Sequence, residues 1–253
     1  MERFDVAVIG AGPAGSSAAG LLARKGYSVA LVDKRLFPSE KLCGDFLNPI
    51  NWPLFERLGV AQELLSLEHE RIEAFHISSF TGEEALFPFP SHEGNFPFGL
   101  GLRRFYLDHA LLKHAEKEGA TVRQGYRITG LKRHGAGWSI TVSDRFGEEA
   151  FCAAFLIGAD GRNSWVAHRL GVARPAGDRA EFVAFQLHLQ LAKGLGRDVQ
   201  IHLFPGGYAG LVSLGEGMLN LCLSIEKKRA SEFSSVQSLF QGHLYKNRYL
   251  RTI

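Results

Sequence analysis

The feature that most constrains this chain is a set of three glycines, Gly10, Gly12 and Gly15, placed between an apolar run and a stretch of small residues. Residues 5–10 (DVAVIG) have the β-branched, apolar make-up of a strand buried on both faces. Ser16 to Lys25 reads as a small-residue helix, with Gly26 as its C-cap. Ser28 to Val32 is a second buried strand that ends at Asp33. Together they form a strand–helix–strand unit of about thirty residues. Each glycine has a task in such a unit. Gly10 permits the tight turn, Gly12 leaves the backbone bare for a pyrophosphate, and Gly15 lets helix and strand pack closely. Pro13 and Ala14 lie within the glycine stretch as further cofactor-binding candidates, and the free N–H groups and positive dipole end of the helix that follows suit phosphate. Asp33, 18 residues past Gly15, is placed to accept two ribose hydroxyls, with Lys34 beside it. The alternative for the glycines alone is an ordinary glycine-rich turn. The strand before them and the helix after them favour a dinucleotide site.

Composition narrows the partners. The chain has 253 residues, 29 Lys and Arg against 26 Asp and Glu, and a net charge of +3. Charge of both signs so nearly balanced argues against a nucleic-acid partner. Cys43, Cys152 and Cys222 are too sparse for a disulfide framework and lack metal-ligand spacing, which points to a reducing, cytoplasmic compartment. The ten histidines form no ligand pattern, so no metal is expected. No apolar run approaches the roughly 20 residues of a membrane helix. Peripheral contact with a membrane stays open, as does the oligomeric state.

Beyond Asp33 the crossover pattern breaks. Residues 34–53 read as a long loop, followed by a short helix over 54–58. Residues 72–102 alternate weakly between prolines and carry Phe75, Phe80, Phe87, Phe89, Phe96 and Phe98. They read as strands of a second layer. Helical spacing returns over 104–118, then a strand over 121–124 and a meander over 126–142. A buried strand over 151–157 runs into Gly158-Ala159-Asp160-Gly161, with a helix from Asn163 or Ser164 to Leu170. Four antiparallel strands are expected over 181–191, 198–204, 208–214 and 219–225. The fold class is therefore α/β, a nucleotide-binding domain interrupted by a second, mostly antiparallel sheet domain. The expected segments are 1–72 and 101–174 for the first, 73–100 and 175–253 for the second. The two parts of the second domain should share one sheet. A nicotinamide dehydrogenase would continue with further β-α units; an interrupted nucleotide fold suits FAD, whose isoalloxazine must reach a second lobe.

The glycine fingerprint, Arg104 four residues before Asp108, and the stretch GADGRNS at 158–164 resemble the flavoprotein superfamily of para-hydroxybenzoate hydroxylase. Residues 40–45 (EKLCGD), the stretch 206–211 (GGYAGL) and Asn220 resemble its geranylgeranyl reductase-like branch. The resemblance implies an FAD/NAD(P)-binding Rossmann-like domain with a β-sheet substrate domain. It implies that Arg104 contacts the FAD phosphates, that Ile128 offers backbone to the adenine, and that Asp160 and Gly161 lie near the pyrophosphate and the passing nicotinamide. It places Cys43 and Gly44 beside the isoalloxazine, with Cys43 the candidate catalytic residue. From the residues alone, Arg104 also fits a solvated helix start, and Cys43 an inert packing residue. The family carries a third FAD motif, and residues 205–253 hold no match to it. The expectation is a truncated or degenerate member that holds the flavin ring loosely. The implied function is an FAD-dependent oxidoreductase in which NADPH or NADH drives reduction of C=C bonds in a small apolar or prenyl substrate. An FAD-dependent aromatic monooxygenase and a non-catalytic nucleotide-binding remnant are the alternatives.

Overall fold

A computed structural model describes residues 1–90, 96–173, 181–190, 195–243, 246–247 and 249–250. The chain divides into two compact units. The first comprises Met1–Glu40, Leu54–Leu64 and Phe105–Pro175; the second comprises Lys41–Pro53, Leu65–Arg104 and Ala176–Ile253. In chain order the strands are β1 (Glu2–Ile9), β2 (Val29–Asp33), β3 (Phe46–Leu47), β4 (Glu70–Ile72), β5 (Ala74–Ser78), β6 (Glu84–Pro88), β7 (Gly99–Gly101), β8 (Thr121–Gln124), β9 (Arg127–His134), β10 (Gly137–Ser143), β11 (Glu148–Gly158), β12 (Phe182–Gln190), β13 (Asp198–Phe204), β14 (Gly207–Gly215) and β15 (Met218–Glu226). The helices are α1 (Pro13–Arg24), α2 (Trp52–Leu58), α3 (Ala61–Ser66), α4 (Arg104–Lys117), α5 (Trp165–Arg169), α6 (Lys227–Ala230) and α7 (Val236–His243).

The first unit is built on a six-stranded sheet ordered β8-β2-β1-β11-β10-β9. Strand β1 pairs in parallel with both β2 and β11, and β2 in parallel with β8. The β9–β10–β11 meander is antiparallel. Parallel strands covered on both faces need apolar residues at every position, and all of β2 is buried. On one side Val6, Val8 and Leu31 pack with Ala19 and Ala23 of α1 and Leu112 and Ala115 of α4. On the other, Ile9 and Val32 join Ile128, Ile140 and Phe151. Arg24, in the last turn of α1, donates to the carbonyls of Arg57 and Leu58, satisfying the C-terminus of α2, and pairs with Glu118.

The second unit holds a six-stranded sheet, β12-β15-β14-β13-β5-β6, and a three-stranded one, β3-β7-β4. The larger sheet is antiparallel except where β13 meets β5. Strands from 74–88 and 182–226 thus share one sheet. The segment Lys41–Pro53, expected in the nucleotide domain, falls in the second unit instead, and Leu54–Leu64 falls in the first. The reason is pairing over distance: Phe46 and Leu47 add to β7, and Leu102 donates to the Asp45 carbonyl at 2.8 Å. Strand β3 is two residues long, too short for any periodicity to announce it. Residues 174–180 and 251–253, within the expected final segments, lie outside the described residues.

One face of the larger sheet packs Leu211, Leu221, Leu223 and Ile225 against Leu239 of α7. Beside this cluster lies a buried polar network. The Ser78 hydroxyl and His202 Nδ1 are 2.8 Å apart, and His202 Nε2 stands 3.0 Å from Gln200 Oε1. Tyr249 stacks on the His202 ring, with centroids 4.7 Å apart. Asn247 donates to Ser78 Oγ and to the Leu203 carbonyl. His76 meets Glu84 at 3.1 Å and Asp198 at 3.5 Å. Burial, and then the neighbouring charge of His76, pushes His202 down to about 4.

Two predictions follow from this packing. A Cβ at Gly15 would lie 1.8 Å from the Gly10 carbonyl oxygen. Gly15→Ala should therefore cost roughly 2–3 kcal/mol, read as a lower denaturation midpoint, whereas Gly26→Ala, with open space around it, should cost only its positive-φ strain. For His202 the folded pKa lies below the unfolded value of 6.5. Its contribution to stability is complete above that value and is lost as pH falls from 6.5 towards 4. Between pH 7 and pH 4 the native chain should lose about 5 °C more in Tm than His202→Gln; parallel Tm–pH curves would show that His202 is not the responsible group.

Candidate functional site

In the first unit the glycine turn joins β1 to α1. Gly10 has φ +102°, and a Cβ there would lie 2.3 Å from the Ala159 carbonyl oxygen. The turn is thus pressed against the end of β11, and the Ala159 amide donates to the Ile9 carbonyl at 2.7 Å. Gly12 differs from both its partners. It is the N-cap of α1 with extended backbone, provides no side-chain cap, and a Cβ there would meet nothing within 4 Å. Pro13 takes the first helical turn, where its missing N–H costs nothing. No acidic residue stands in that turn. Ala14 is exposed beside it, while Ala11 and Gly15 are buried. The N-terminus of α1 thus carries no side-chain cap and no acidic residue in its first turn, an arrangement that suits an anion.

Asp33 ends β2 at 7% exposure. Its Oδ2 accepts the Ala11 amide at 2.7 Å, which locks the glycine turn to the neighbouring strand. Lys34 is exposed next to it. The Arg35 amide donates to Asp33 Oδ1 at 2.8 Å, and the Arg35 guanidinium forks onto both carboxylate oxygens at 3.2 Å. Asp160 and Gly161 follow β11 beside Gly10. The Asp160 carboxylate accepts the Ser164 hydroxyl and, at 3.1 Å, the Val166 amide, so it braces Ser164, the N-cap of α5. Gly161 has φ +85° and open space around it. Ile128 lies in β9 opposite Val142, next to a register shift, with its side chain in the core.

The remaining sequence candidates lie in the second unit. The Cys43 amide donates to Gln186 Oε1 at 3.0 Å, and its carbonyl accepts Asn220 Nδ2 at 3.1 Å. Gly44 is exposed, with open space where a side chain would be. Asp45 is buried with φ +52°. Its Oδ2 meets Gln186 Nε2 and His188 Nε2, each at 2.8 Å, and its Oδ1 accepts the amide of Arg104, the first residue of α4. Cys222 pairs with Gln186 across β12 and β15. Burial, then the charges of Cys43 and Asp45, raises the Cys222 thiol above its ordinary value. The Asn220 Oδ1 is buried and has no partner among the described residues.

Gln186, His188 and Arg35 were not among the sequence candidates. Gln186 and His188 recur at period two within FVAFQLHLQ, a polar pair on one face of a strand. That signal was present, but nothing local linked it to Cys43, 143 residues away.

The chain meets the requirements of a nucleotide cradle: a bare helix N-terminus, a glycine whose side-chain space is empty, and a carboxylate at the end of the adjacent strand. Residues 3–195 match the family described as FAD binding domain. The chain belongs to that family. It is 35% identical over 172 residues to a menaquinone reductase of Mycobacterium tuberculosis, covering 67% of this chain and 40% of that protein. With a menaquinone reductase of Mycolicibacterium smegmatis it shares 31% over 236 residues, 87% of this chain and 54% of the other. An aklavinone 12-hydroxylase of Streptomyces purpurascens is 31% identical over 195 residues, 68% of this chain and 36% of that one. The chain thus spans about half the length, or less, of these relatives. Among solved structures, a flavoprotein/dehydrogenase of Cytophaga hutchinsonii superposes with a TM-score of 0.83 at 23% identity, over 92% of this chain and 58% of that one. That likeness supports the mixed α/β, Rossmann-like fold with a β-sheet domain. The family match and these relatives place the chain in the wider flavoprotein family; they do not show the geranylgeranyl reductase-like branch. No helix among the described residues is long and apolar enough to cross a membrane.

The residues present fit FAD. The open space at Gly12 generates a prediction that separates binding from folding. Gly12→Val should leave Tm within a degree or two, since a Cβ there has no protein atom within 4 Å, yet weaken FAD or ADP binding at least about 100-fold by filling the phosphate approach. Titration calorimetry alongside thermal melts reads both; wild-type affinity in the variant would reduce the fingerprint to a structural turn.

Proposed function

We propose that this chain is the cofactor-binding part of an FAD-dependent oxidoreductase that uses NADPH or NADH to reduce C=C bonds in an apolar, prenyl-type substrate. The observation that carries the reading is the uncapped N-terminus of α1, with open space at Gly12, beside Asp33 at the end of the adjacent strand. FAD, when bound, supplies the hydride chemistry. The chain supplies the rest. Amides in the first turn of α1 and the open backbone at Gly12 would receive the diphosphate. Asp33 would receive the adenosine ribose, with Lys34 at its margin and the backbone of Ile128 near the base. Asp160 holds the start of α5 in place, so that Gly161 stays exposed beside the glycine turn. Arg104 is assigned to the phosphates, and Cys43 with Gly44 to the isoalloxazine edge. Gln186 and Asn220 hold the amide and the carbonyl of Cys43, which fixes the backbone of the proposed catalytic residue.

The substrate class draws support from the two menaquinone reductases, since a menaquinone is a quinone bearing a polyprenyl chain. It is also consistent with the phenylalanines between Phe75 and Phe98. The hydroxylase relative favours a second reading, in which reduced flavin reacts with oxygen and an aromatic ring is hydroxylated. Neither reading needs a nucleic acid partner or a membrane-spanning helix, and a cytoplasmic location suits both. Anaerobic turnover separates them. With bound FAD reduced by NADPH under argon, addition of a polyprenyl quinone should restore the oxidised flavin spectrum and yield a product that stays two mass units heavier after air has returned any quinol to the quinone. Reoxidation that requires air, with a product 16 mass units heavier, would favour the hydroxylase. An absence of any flavin absorbance after incubation with FAD would leave only the nucleotide-binding remnant.

A further inference from the structure

The carboxylate of Asp33 accepts four hydrogen bonds, and all four come from this chain. Oδ2 takes the Ala11 amide at 2.7 Å and Arg35 Nη2 at 3.2 Å. Oδ1 takes the Arg35 amide at 2.8 Å and Arg35 Nε at 3.2 Å. An ionised carboxylate has about four lone-pair sites, so none is left for a ribose hydroxyl. The two amide bonds belong to the fold. Ala11 is part of the glycine turn, and Arg35 is held at its carbonyl by the Gly125 amide at 3.1 Å. The two guanidinium bonds belong to a side chain that can rotate. They are longer than the roughly 2.7–2.9 Å typical of charge-assisted pairs. The same guanidinium lies 4.7 Å from the centre of the Phe37 ring, an aromatic face that can keep the cation when it leaves the carboxylate.

We propose that the Arg35 side chain is an internal occupant of the ribose seat. It fills the lone pairs of Asp33 that the 2′- and 3′-hydroxyls of an adenine nucleotide require, and binding exchanges the fork for the hydroxyls. Two N–H···O bonds are given up, two O–H···O bonds form, and the guanidinium moves away while retaining the Phe37 face. Between binding events Arg35 keeps a nearly buried carboxylate paired, and the cost is a weaker grip on the nucleotide. The inference rests on the cradle receiving the adenosine end of FAD.

The experiment is a cycle between protein and ligand, read by calorimetry without any turnover. ADP and 2′,3′-dideoxy-ADP are titrated into the wild-type chain, Arg35→Met and Arg35→Lys. Methionine keeps an apolar stem beside Phe37 and removes both forked donors. The expected wild-type preference for ADP over the dideoxy nucleotide is about threefold or less, because the hydroxyls replace bonds already made. In Arg35→Met, ADP should bind about tenfold tighter and the preference should widen by a similar factor, with the dideoxy nucleotide little changed. Arg35→Lys, which cannot fork, should fall between the two. Equal weakening of both nucleotides in Arg35→Met would overturn the proposal and make Arg35 a nucleotide contact. An unchanged preference with a lowered Tm would overturn it too and make Arg35 a brace of the strand end. If no form binds ADP, the cradle reading itself fails, and the proposal with it.

Discussion

The bond from the Ala11 amide to the Asp33 carboxylate, 2.7 Å long and buried, is the constraint on which the nucleotide unit turns. Two parallel strands side by side have no short loop to fix their relative ends. This bond fixes them. It draws the turn after β1 against the end of β2, and that sets where α1 begins. Gly10 can then take its left-handed backbone against Ala159, and Gly15 can sit on the Gly10 carbonyl with no room for a methyl group. The consequence for function is indirect but strict. At the N-terminus of α1, Gly12 provides no side-chain cap and is left with open space where a side chain would be.

That part of the molecule was legible in the sequence because its causes are local. Glycines at fixed intervals, an apolar run before them and an acidic residue at the end of the next strand all lie within 33 positions, and each answers to one steric or electrostatic need. The bounds expected for β8, β13 and α1 lie within a few residues of those found, since their periodicity is strong and unbroken. The alternation over 181–225 likewise gave the antiparallel strands of the larger sheet. What was not legible depends on partners remote in the chain. Strand β3 exists only because β7 lies beside it, and β4 likewise. No propensity signals a two-residue strand. Asp160 shows a different limit. Its place beside the glycine turn was readable, but its carboxylate holds Ser164 and Val166 at the start of α5, a bracing role that the stretch GADGRNS equally allows.

The loop at Cys43 illustrates how a sheet can position a residue it does not contain. Gln186 uses both ends of its amide: the oxygen receives the Cys43 backbone and the nitrogen donates to Asp45. One side chain on β12 therefore sets the distance between the two ends of the Cys43-Gly44-Asp45 turn. His188, one pleat further along the same face, holds Asp45 from a second direction, and Asn220 on the adjacent strand holds the Cys43 carbonyl. The positive φ of Asp45 is uncommon for a residue with a side chain, and it is sustained by five hydrogen-bonding groups: Gln186, His188, and the amides of Arg104 and Leu102 on Asp45 itself, with Asn220 one step away. Strain held by so many partners is the arrangement expected where a loop must keep one shape while a ligand comes and goes.

Both sites spend their buried charge in the same way. A carboxylate with little solvent of its own, Asp33 in one unit and Asp45 in the other, gathers donors until its lone pairs are occupied. The difference lies in who donates. Around the Asp45 carboxylate the donors are the Arg104 amide and two side chains of β12, so the group is locked. Around Asp33 two of the four donors sit on one flexible arginine, so the group is satisfied yet exchangeable. A locked carboxylate shapes backbone; an exchangeable one can trade a protein donor for a ligand hydroxyl at nearly constant bond count. That contrast follows from the covalent length and freedom of the donor alone.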